Sequence, residues 1–302
     1  MVAKKIPRVK DRKRRMALSI LLTGSSGYIG KHLHNYWSQK GECEVVRVDR
    51  SAGFDLSGYD WTSRLPERNV DVVIHLAQSR RYREFPGGTQ DMVRVNVGST
   101  VELIEWARKH GAKRFIFAST GTVYSQRSEK LKETAECKPD SMYAATKLSA
   151  EYLIQPYSVF FEIVIARLFT VFGPAQPHML VTDMIERVQT DREIMLAGGV
   201  GIYITPLFIE DCVKVLSCLA VVPMADAVTI LNVSGDEVLS LGEIIAKIAC
   251  RLQKKTIIKT TKEKPKYFCS DNSRLKKYYK HHFMPFTTGM ELTLSAILNC
   301  PR

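Results

Sequence analysis

The sequence predicts an α/β fold: a doubly wound parallel sheet followed by a smaller C-terminal α/β region. Three observations predict it. Short, continuously apolar runs alternate with helical periodicity through residue 172. Such strands, buried on both faces, belong to parallel sheets covered by helices on either side. A glycine-rich turn lies between the first strand and the first helix, and an acid closes the second strand.

The elements follow in order. Leu18–Thr23 is an apolar run ending at Gly24, and helical periodicity continues to about Gln39. Strands are expected at 44–48, ending at Asp49, and at 70–76. Residues 91–110 read as one long helix with Val93, Val97, Val101, Ile104 and Trp106 on its apolar side. A strand at 113–118, a helix at 141–153 and a strand at Glu162–Leu168 complete the run. Right-handed crossovers make the arrangement doubly wound.

After Phe172 the rhythm changes. Pro174 and Pro177 break the chain. Helices are expected at 181–189, 208–222 and 239–252, with strands at Val228–Val233 and 256–259. The domain reading is a basic, disordered arm at 1–16 and a dinucleotide-binding domain at 17–173, to which 207–233 returns. The smaller region takes 174–206 and 234–302.

The chain has 302 residues, 45% hydrophobic and 25% charged, which excludes disordered and fibrous classes. No apolar run approaches the ~18 residues of a membrane span. Residues 17–22 are too short for a signal-peptide core, so a cytoplasmic location is expected. The seven cysteines form an odd set without CxxC spacing and read as reduced thiols. His281-His282 lacks companion ligands, so no metal is expected.

Net charge is +13, of which residues 1–15 carry +7. A second basic region spans 254–280. The arm could bind an anionic polymer or membrane, or could reflect a start at Met16. A solvated arm unrelated to catalysis is the favoured reading. It lacks the aromatic interleaving of a nucleic-acid stripe, so nucleic acid is not an expected partner.

Thr23-Gly24-Ser25-Ser26-Gly27-Tyr28-Ile29-Gly30 follows the first strand. Glycines at these places permit a tight turn, close approach of a diphosphate and close helix–strand packing. The following helix offers free N–H groups and the positive end of its dipole. Asp49 lies 19 positions past Gly30, where a carboxylate holds ribose hydroxyls and repels a 2′-phosphate. NAD is therefore preferred to NADP, although the adjacent Arg50 pulls the other way. The alternative for Asp49 is a turn residue.

Tyr143 and Lys147 stand four apart and share one helix face. An ammonium near a phenol lowers its pKa and makes it a usable acid/base. The strand before them ends in Ser119-Thr120, which places a hydroxyl at the ligand-binding edge of an open sheet.

Jointly these motifs resemble the extended short-chain dehydrogenase/reductases, in the NAD-dependent sugar epimerase/dehydratase group typified by UDP-glucose 4-epimerase. The resemblance covers residues 17 to about 298. It rests on TGSSGYIG, Asp49, Asp55-Leu56, His75-Leu76-Ala77, Asn96 with Gly98-Ser99-Thr100, FIFASTGTVY at 115–124, YAATK at 143–147, ARLFTVFGP at 166–174 and FIEDCV at 208–213. It implies a Rossmann-type fold. It makes Tyr143 the acid/base, with Lys147 lowering its pKa and holding the nicotinamide ribose. Thr120 becomes the hydroxyl partner on the reacting sugar oxygen. Gly24, Ser26, Gly27, Tyr28, Ile29, Gly30, Asp49 and Arg50 become dinucleotide contacts. Asp55 and Leu56 would meet adenine, Leu76 and Ala77 would flank the diphosphate, and Asn96 would lie near the active-site helix.

Three departures from the family pattern matter. Dehydratases of this group carry an Asp-Glu pair after the hydroxyl residue, where this chain has Gly121-Thr122, so 4,6-dehydration is not expected. The family's Asn in the RLxNxYGP motif is Thr170. The family's diphosphate-gripping Arg is missing from the stretch Ile204-Thr205-Pro206. Arg80, Arg81 and Arg83 could supply phosphate contacts instead, or form a solvated loop. His178 is a further substrate candidate, with a structural role as the alternative.

The resemblance implies epimerisation of a nucleotide-activated sugar by hydride abstraction and return at a carbinol carbon, expected at C4. A ketoreductase of a nucleotide-linked keto-sugar is the alternative. A non-catalytic dinucleotide- or nucleic-acid-binding protein is a third reading. Family members commonly pair as homodimers through the helices here at 91–110 and 141–153.

Overall fold

A computed structural model describes residues 18–125 and 129–299. The basic arm and Cys300 lie outside these residues. Strands β1 (Leu18–Thr23), β2 (Cys43–Val48), β3 (Val72–His75), β4 (Arg114–Thr120) and β5 (Glu162–Leu168) are all parallel. The next segment adds β6 (Val171–Phe172), β7 (Ile194–Ala197), β8 (Tyr203–Ile204) and β9 (Leu207–Phe208). Then β10 (Val228–Val233) returns to the main sheet beside β5. The six-stranded order is β10-β5-β4-β3-β1-β2. Strand order reverses between β1 and β3, and ligands bind at such a switch point, outside the C-terminal strand ends.

Helix α1 (Tyr28–Lys40) starts behind Gly27 and stops at Gly41, whose φ of 63° suits a residue without Cβ. The expected long helix is divided. A helix α2 (Thr89–Val93) leads into a π turn at Arg94–Gly98, and α3 (Ser99–Lys109) follows. Such wide turns are frequent at functional sites. Helix α4 (Met142–Ile154) is N-capped by Ser141, whose Oγ accepts from the Ala144 amide at 3.2 Å.

Helices α5 (Leu180–Gln189), α6 (Ile209–Leu219) and α7 (Leu241–Leu252) match three expected helices to within a few residues. Residue 208 belongs to β9, so α6 is shorter at both ends than the expected 208–222. A strand β11 (Leu239–Ser240) precedes α7. Strand β12 (Ile258–Thr261) lies two residues beyond the expected 256–259 and pairs with β7. A short β13 (Tyr267–Phe268) pairs with β8, and α8 (Phe286–Leu298) closes the described chain. The short strands and α8 were not foreseen. Helix α8 contains Thr287, Thr288 and Gly289, which favour helix weakly. Burial of Phe286, Met290 and Leu294 offsets that weakness.

Two apolar cores sandwich the sheet. One lies under α3 and α4 and includes Trp61, Leu103, Phe115 and Ile165. The other runs from Leu22 and Trp37 through α5 to α8, so the first strand and helix share one interior with the C-terminal helices.

Candidate active site

The C-terminal ends of β1, β2 and β3 open into a cavity of about 300 Å³. Its lining includes Gly24, Ser26, Gly27, Asp49, Arg50, Asp55, Leu56, Leu76, Ala77 and Arg80. Gly24 has φ +67°, and a Cβ there would lie 2.8 Å from the Ala77 nitrogen. A Cβ on Gly30 would overlap the Gly24 carbonyl. Close packing of bare backbone thus shapes the phosphate loop. Tyr28, Ile29 and Gly30 lie outside the cavity lining, and Tyr28 and Ile29 pack against the core.

Asp49 is 5% exposed and caps the turn that follows it. Its Oδ1 accepts from the Ser51 and Ala52 amides at 2.8 and 3.1 Å and from the Ser51 hydroxyl, while Oδ2 accepts from Ser25. Burial raises its pKa, but the bonds from Ser25, Ser51 and Ala52 outweigh that and hold it at about 2. Asp49 is therefore both a turn residue and a fixed negative charge on the cavity wall. Arg47 and Arg50 stand nearby, Arg47 at 3.4 Å from Asp49 and Arg50 at 3.6 Å from Asp55. A glycine loop at a helix start with a carboxylate across from it fits a dinucleotide. Phe54, Ser57, Gln78, Tyr82 and Val95 also line the cavity, and no sequence motif marked them.

Behind the cavity a buried chain of hydrogen bonds joins the phosphate loop to α4. The Ala77 amide donates to Thr23 Oγ1 at 3.2 Å, and Thr23 Oγ1 lies 2.6 Å from His75 Nδ1. His75 Nε2 lies 2.9 Å from Thr100 Oγ1, which donates to the Asn96 carbonyl at 2.8 Å. Asn96, in the π turn, accepts from the Ser79 amide at 2.8 Å and donates to Thr146 at 3.0 Å. Thr146 in turn donates to the Tyr143 carbonyl at 2.9 Å. Asn96 thus braces α4 from behind. Burial, with the Lys147 charge, lowers the His75 pKa to about 3, so the relay is neutral.

Tyr143 and Lys147 lie on α4 as the spacing predicts. The Tyr143 ring is 5.4 Å from the Tyr82 ring, and its hydroxyl donates to Gln78 Oε1 at 2.8 Å. Burial and Tyr82 push the phenol's pKa up, against a hydrogen bond with Thr120. Lys147 is 2% exposed, and its ammonium sits 4.0 Å over the Phe117 ring. Burial lowers its pKa to about 7, with Glu151 opposing. Thr120 accepts from the Thr122 amide at 3.2 Å, and the two hydroxyls are 3.0 Å apart.

Deeper down, Glu151 pairs with Arg167 at 2.6 Å and accepts from Ser119. This buried pair anchors α4 to β4 and β5. Position 121 has no room for an acid: a Cβ on Gly121 would lie 2.7 Å from the Phe169 ring.

The remaining candidates separate. Arg80 lines the cavity, whereas Arg81 turns to Glu84 at 2.7 Å. Arg83 donates to the His178 carbonyl at 3.0 Å and so straps the loop after β3 to the segment before α5. His178 is exposed, has φ +51°, and precedes α5 by two residues. Thr170 is half-buried and gives its carbonyl to the Leu207 amide at 2.8 Å. In the stretch lacking the family's arginine, Ile204 is buried, and Thr205 Oγ1 accepts from the Ser270 amide at 3.2 Å.

Residues 20–234 match the model of the "NAD dependent epimerase/dehydratase family". The chain belongs to that family. The "Uncharacterized UDP-glucose epimerase YtcB" of Bacillus subtilis is 29% identical to this chain over 257 residues, covering 76% of this chain and 81% of its own. A UDP-glucuronate 4-epimerase of Thermodesulfobacterium geofontis is 28% identical over 59% of this chain and 64% of its own. The fold agrees with a Bacillus cereus UDP-glucuronic acid 4-epimerase, solved with UDP-glucuronic acid and NAD, at a TM-score of 0.81. That match has 26% identity and covers 93% of this chain and 99% of the other.

Proposed function

We propose that this family member is an NAD-dependent epimerase of a nucleotide-activated sugar, acting at C4. The observation that carries the reading is the placement of Tyr143, hydrogen-bonded to Thr120 and to the cavity residue Gln78, next to the cavity that the glycine loop and Asp49 line, with no acid at 121 or 122. Elimination of water needs such an acid and base, so dehydration lacks its groups. The relatives named UDP-sugar 4-epimerases support the same choice.

Gly24, Ser26, Gly27 and Asp49 would hold NAD, with Asp55, Leu56 and Ala77 along its length. When bound, NAD supplies the oxidising and reducing power for the carbinol carbon. Tyr143 exchanges the carbinol proton, and Thr120 orients the oxygen. A charged Lys147, one turn along the same face, favours the phenolate needed to take that proton. Arg80 and Arg83 offer cations toward the substrate's phosphates. Residues 17–173 and 207–233 form the cofactor part, and 174–206 with 234–302 the substrate part.

Two finer readings accompany this one. Val101 on α3 and Tyr152 and Leu153 on α4 are exposed apolar residues, which suits a homodimer through these helices. Six free cysteines and no membrane-length apolar helix among the described residues suit a reducing, cytoplasmic setting.

The test is to incubate the chain with UDP-glucuronate, UDP-glucose and their C4 epimers, and follow inversion by proton NMR. Inversion without added dinucleotide, with NAD released on denaturation, is the expected result. Reduction of keto-sugars with exchange of external NADPH, and no inversion, would replace the proposal with the ketoreductase.

A further inference from the structure

The Tyr143 hydroxyl has a partner outside the set of acid/base residues that the motifs supply. Gln78 follows Ala77 at the mouth of β3, is exposed to the cavity, and accepts the phenol's hydrogen bond at 2.8 Å. Its acceptor is a carbonyl oxygen. The keto oxygen that forms during C4 inversion is also a carbonyl oxygen that needs a donor from Tyr143. We propose that Gln78 is the control residue of the acid/base: its carboxamide oxygen stands in for the substrate's oxygen and holds the proton on Tyr143 in the resting enzyme, and when substrate displaces it that proton passes to solvent at the exposed mouth of the cleft, leaving the phenolate that accepts the carbinol proton. The proposal rests on the epimerase reading only in naming the oxygen that does the displacing.

The physical argument is one of selective stabilisation. A carbonyl acceptor can bond the neutral phenol but not the phenolate, so it favours the protonated form. Burial and Tyr82 already raise the pKa of Tyr143, and the Gln78 bond acts on top of them. The other groups around the phenol come from three elements. Tyr82, like Gln78 itself, belongs to the loop after β3, Thr120 to the end of β4, and Lys147, whose ammonium lies over Phe117, stands one turn along α4. All of them are unchanged when Gln78 alone is replaced. Because Gln78 is exposed and makes this bond with its tip, its replacement removes the control while leaving the buried relay behind Asn96 in place.

The experiment titrates Tyr143 directly in the NAD-loaded full chain. Phenolate absorbance near 295 nm is followed against pH, and the trace of Tyr143→Phe is subtracted. A lost hydrogen bond of ordinary net strength moves a pKa by roughly half to one unit. Gln78→Ala should lower the Tyr143 midpoint by about that much. Gln78→Glu, which offers a charged acceptor, should raise it by at least as much. The acid limb of kcat/KM should follow both shifts, because that limb reports the free enzyme. Midpoints unchanged in both variants, or moved in the same direction, would overturn the proposal. The absorbance titration needs no turnover. A chain that inverts no sugar yet shows the opposed shifts therefore refutes the epimerase and keeps the control residue.

Discussion

At Gly24 and Gly30 the site is made by backbone, with no room for a Cβ. In the loop after β3, at Gln78 and Arg80, it is made by whichever side chains the loop carries. The first wall is a geometric necessity, shared by any chain that brings a diphosphate to a helix start. The second wall is built from loop side chains, which are free to vary. The difference teaches that cofactor use and substrate choice have different physical origins within one cleft.

The sharpest way to break this comparison is at the chemistry where the two walls meet. Tyr143→Phe should reduce kcat by roughly 10²–10⁴-fold, the usual worth of a general acid/base, while NAD remains bound. Near-normal turnover would show that another group moves the proton. Asp49→Ala tests the cofactor wall. Losing a charge-assisted contact should weaken NAD by about 10- to 100-fold and relax discrimination against NADP, as read by calorimetric titration. An unchanged ratio of the two affinities would assign Asp49 to the turn alone. At the dividing line, Gly121→Ala forces its new methyl against Phe169 and should cost about 1–3 kcal/mol, read as a lower midpoint in urea. A neutral outcome would mean that an acid could be accommodated there.

A smaller effect lies in the relay behind both walls. His75 has a folded pKa of about 3, below the unfolded value near 6.5. Its contribution is therefore complete above pH 6.5 and is lost as pH falls toward 3. The slope is up to ~1.4 kcal/mol per pH unit. Stability measured from pH 7 to 4 should fall less steeply in His75→Asn, and parallel slopes would point to another titrating group. Smallest of all, Arg83→Ala should leave stability within about 0.5 kcal/mol, since its site is exposed. Its effect should appear as a raised KM with kcat preserved. No change in KM would make the strap to His178 incidental.

Much of the fold was legible because parallel strands and their phosphate loop leave a strong pattern. Five apolar runs sufficed to place Asp49 and Thr120 at the C-terminal ends of their strands, and the four-residue spacing put Tyr143 and Lys147 one turn apart on a helix. The π turn was not legible: Arg94–Gly98 keeps helical periodicity, and only the hydrogen bonds of Asn96 reveal why the helix widens. Gln78 and Tyr82 were missed because they lie in an irregular loop, where position follows from tertiary contact with α4. Helix α8 was missed because its stability comes from burial against Phe172 and Phe208 rather than from propensity.

The return of β10 to the edge beside β5 has a consequence for anyone wishing to graft a new specificity onto this scaffold. Sheet order puts Val228–Val233 outside Glu162–Leu168, so the outermost rung on that side is made by chain that comes after α5. A shortened version ending at residue 173 would strip that rung and leave the backbone of β5 open to pair with another molecule. It would also uncover Leu22, Trp37 and Val164, whose shared interior includes residues from α5 to α8. Recombination with a homologue should therefore exchange 174–206 as an insert and retain 207–233, so that the splice points fall outside the sheet.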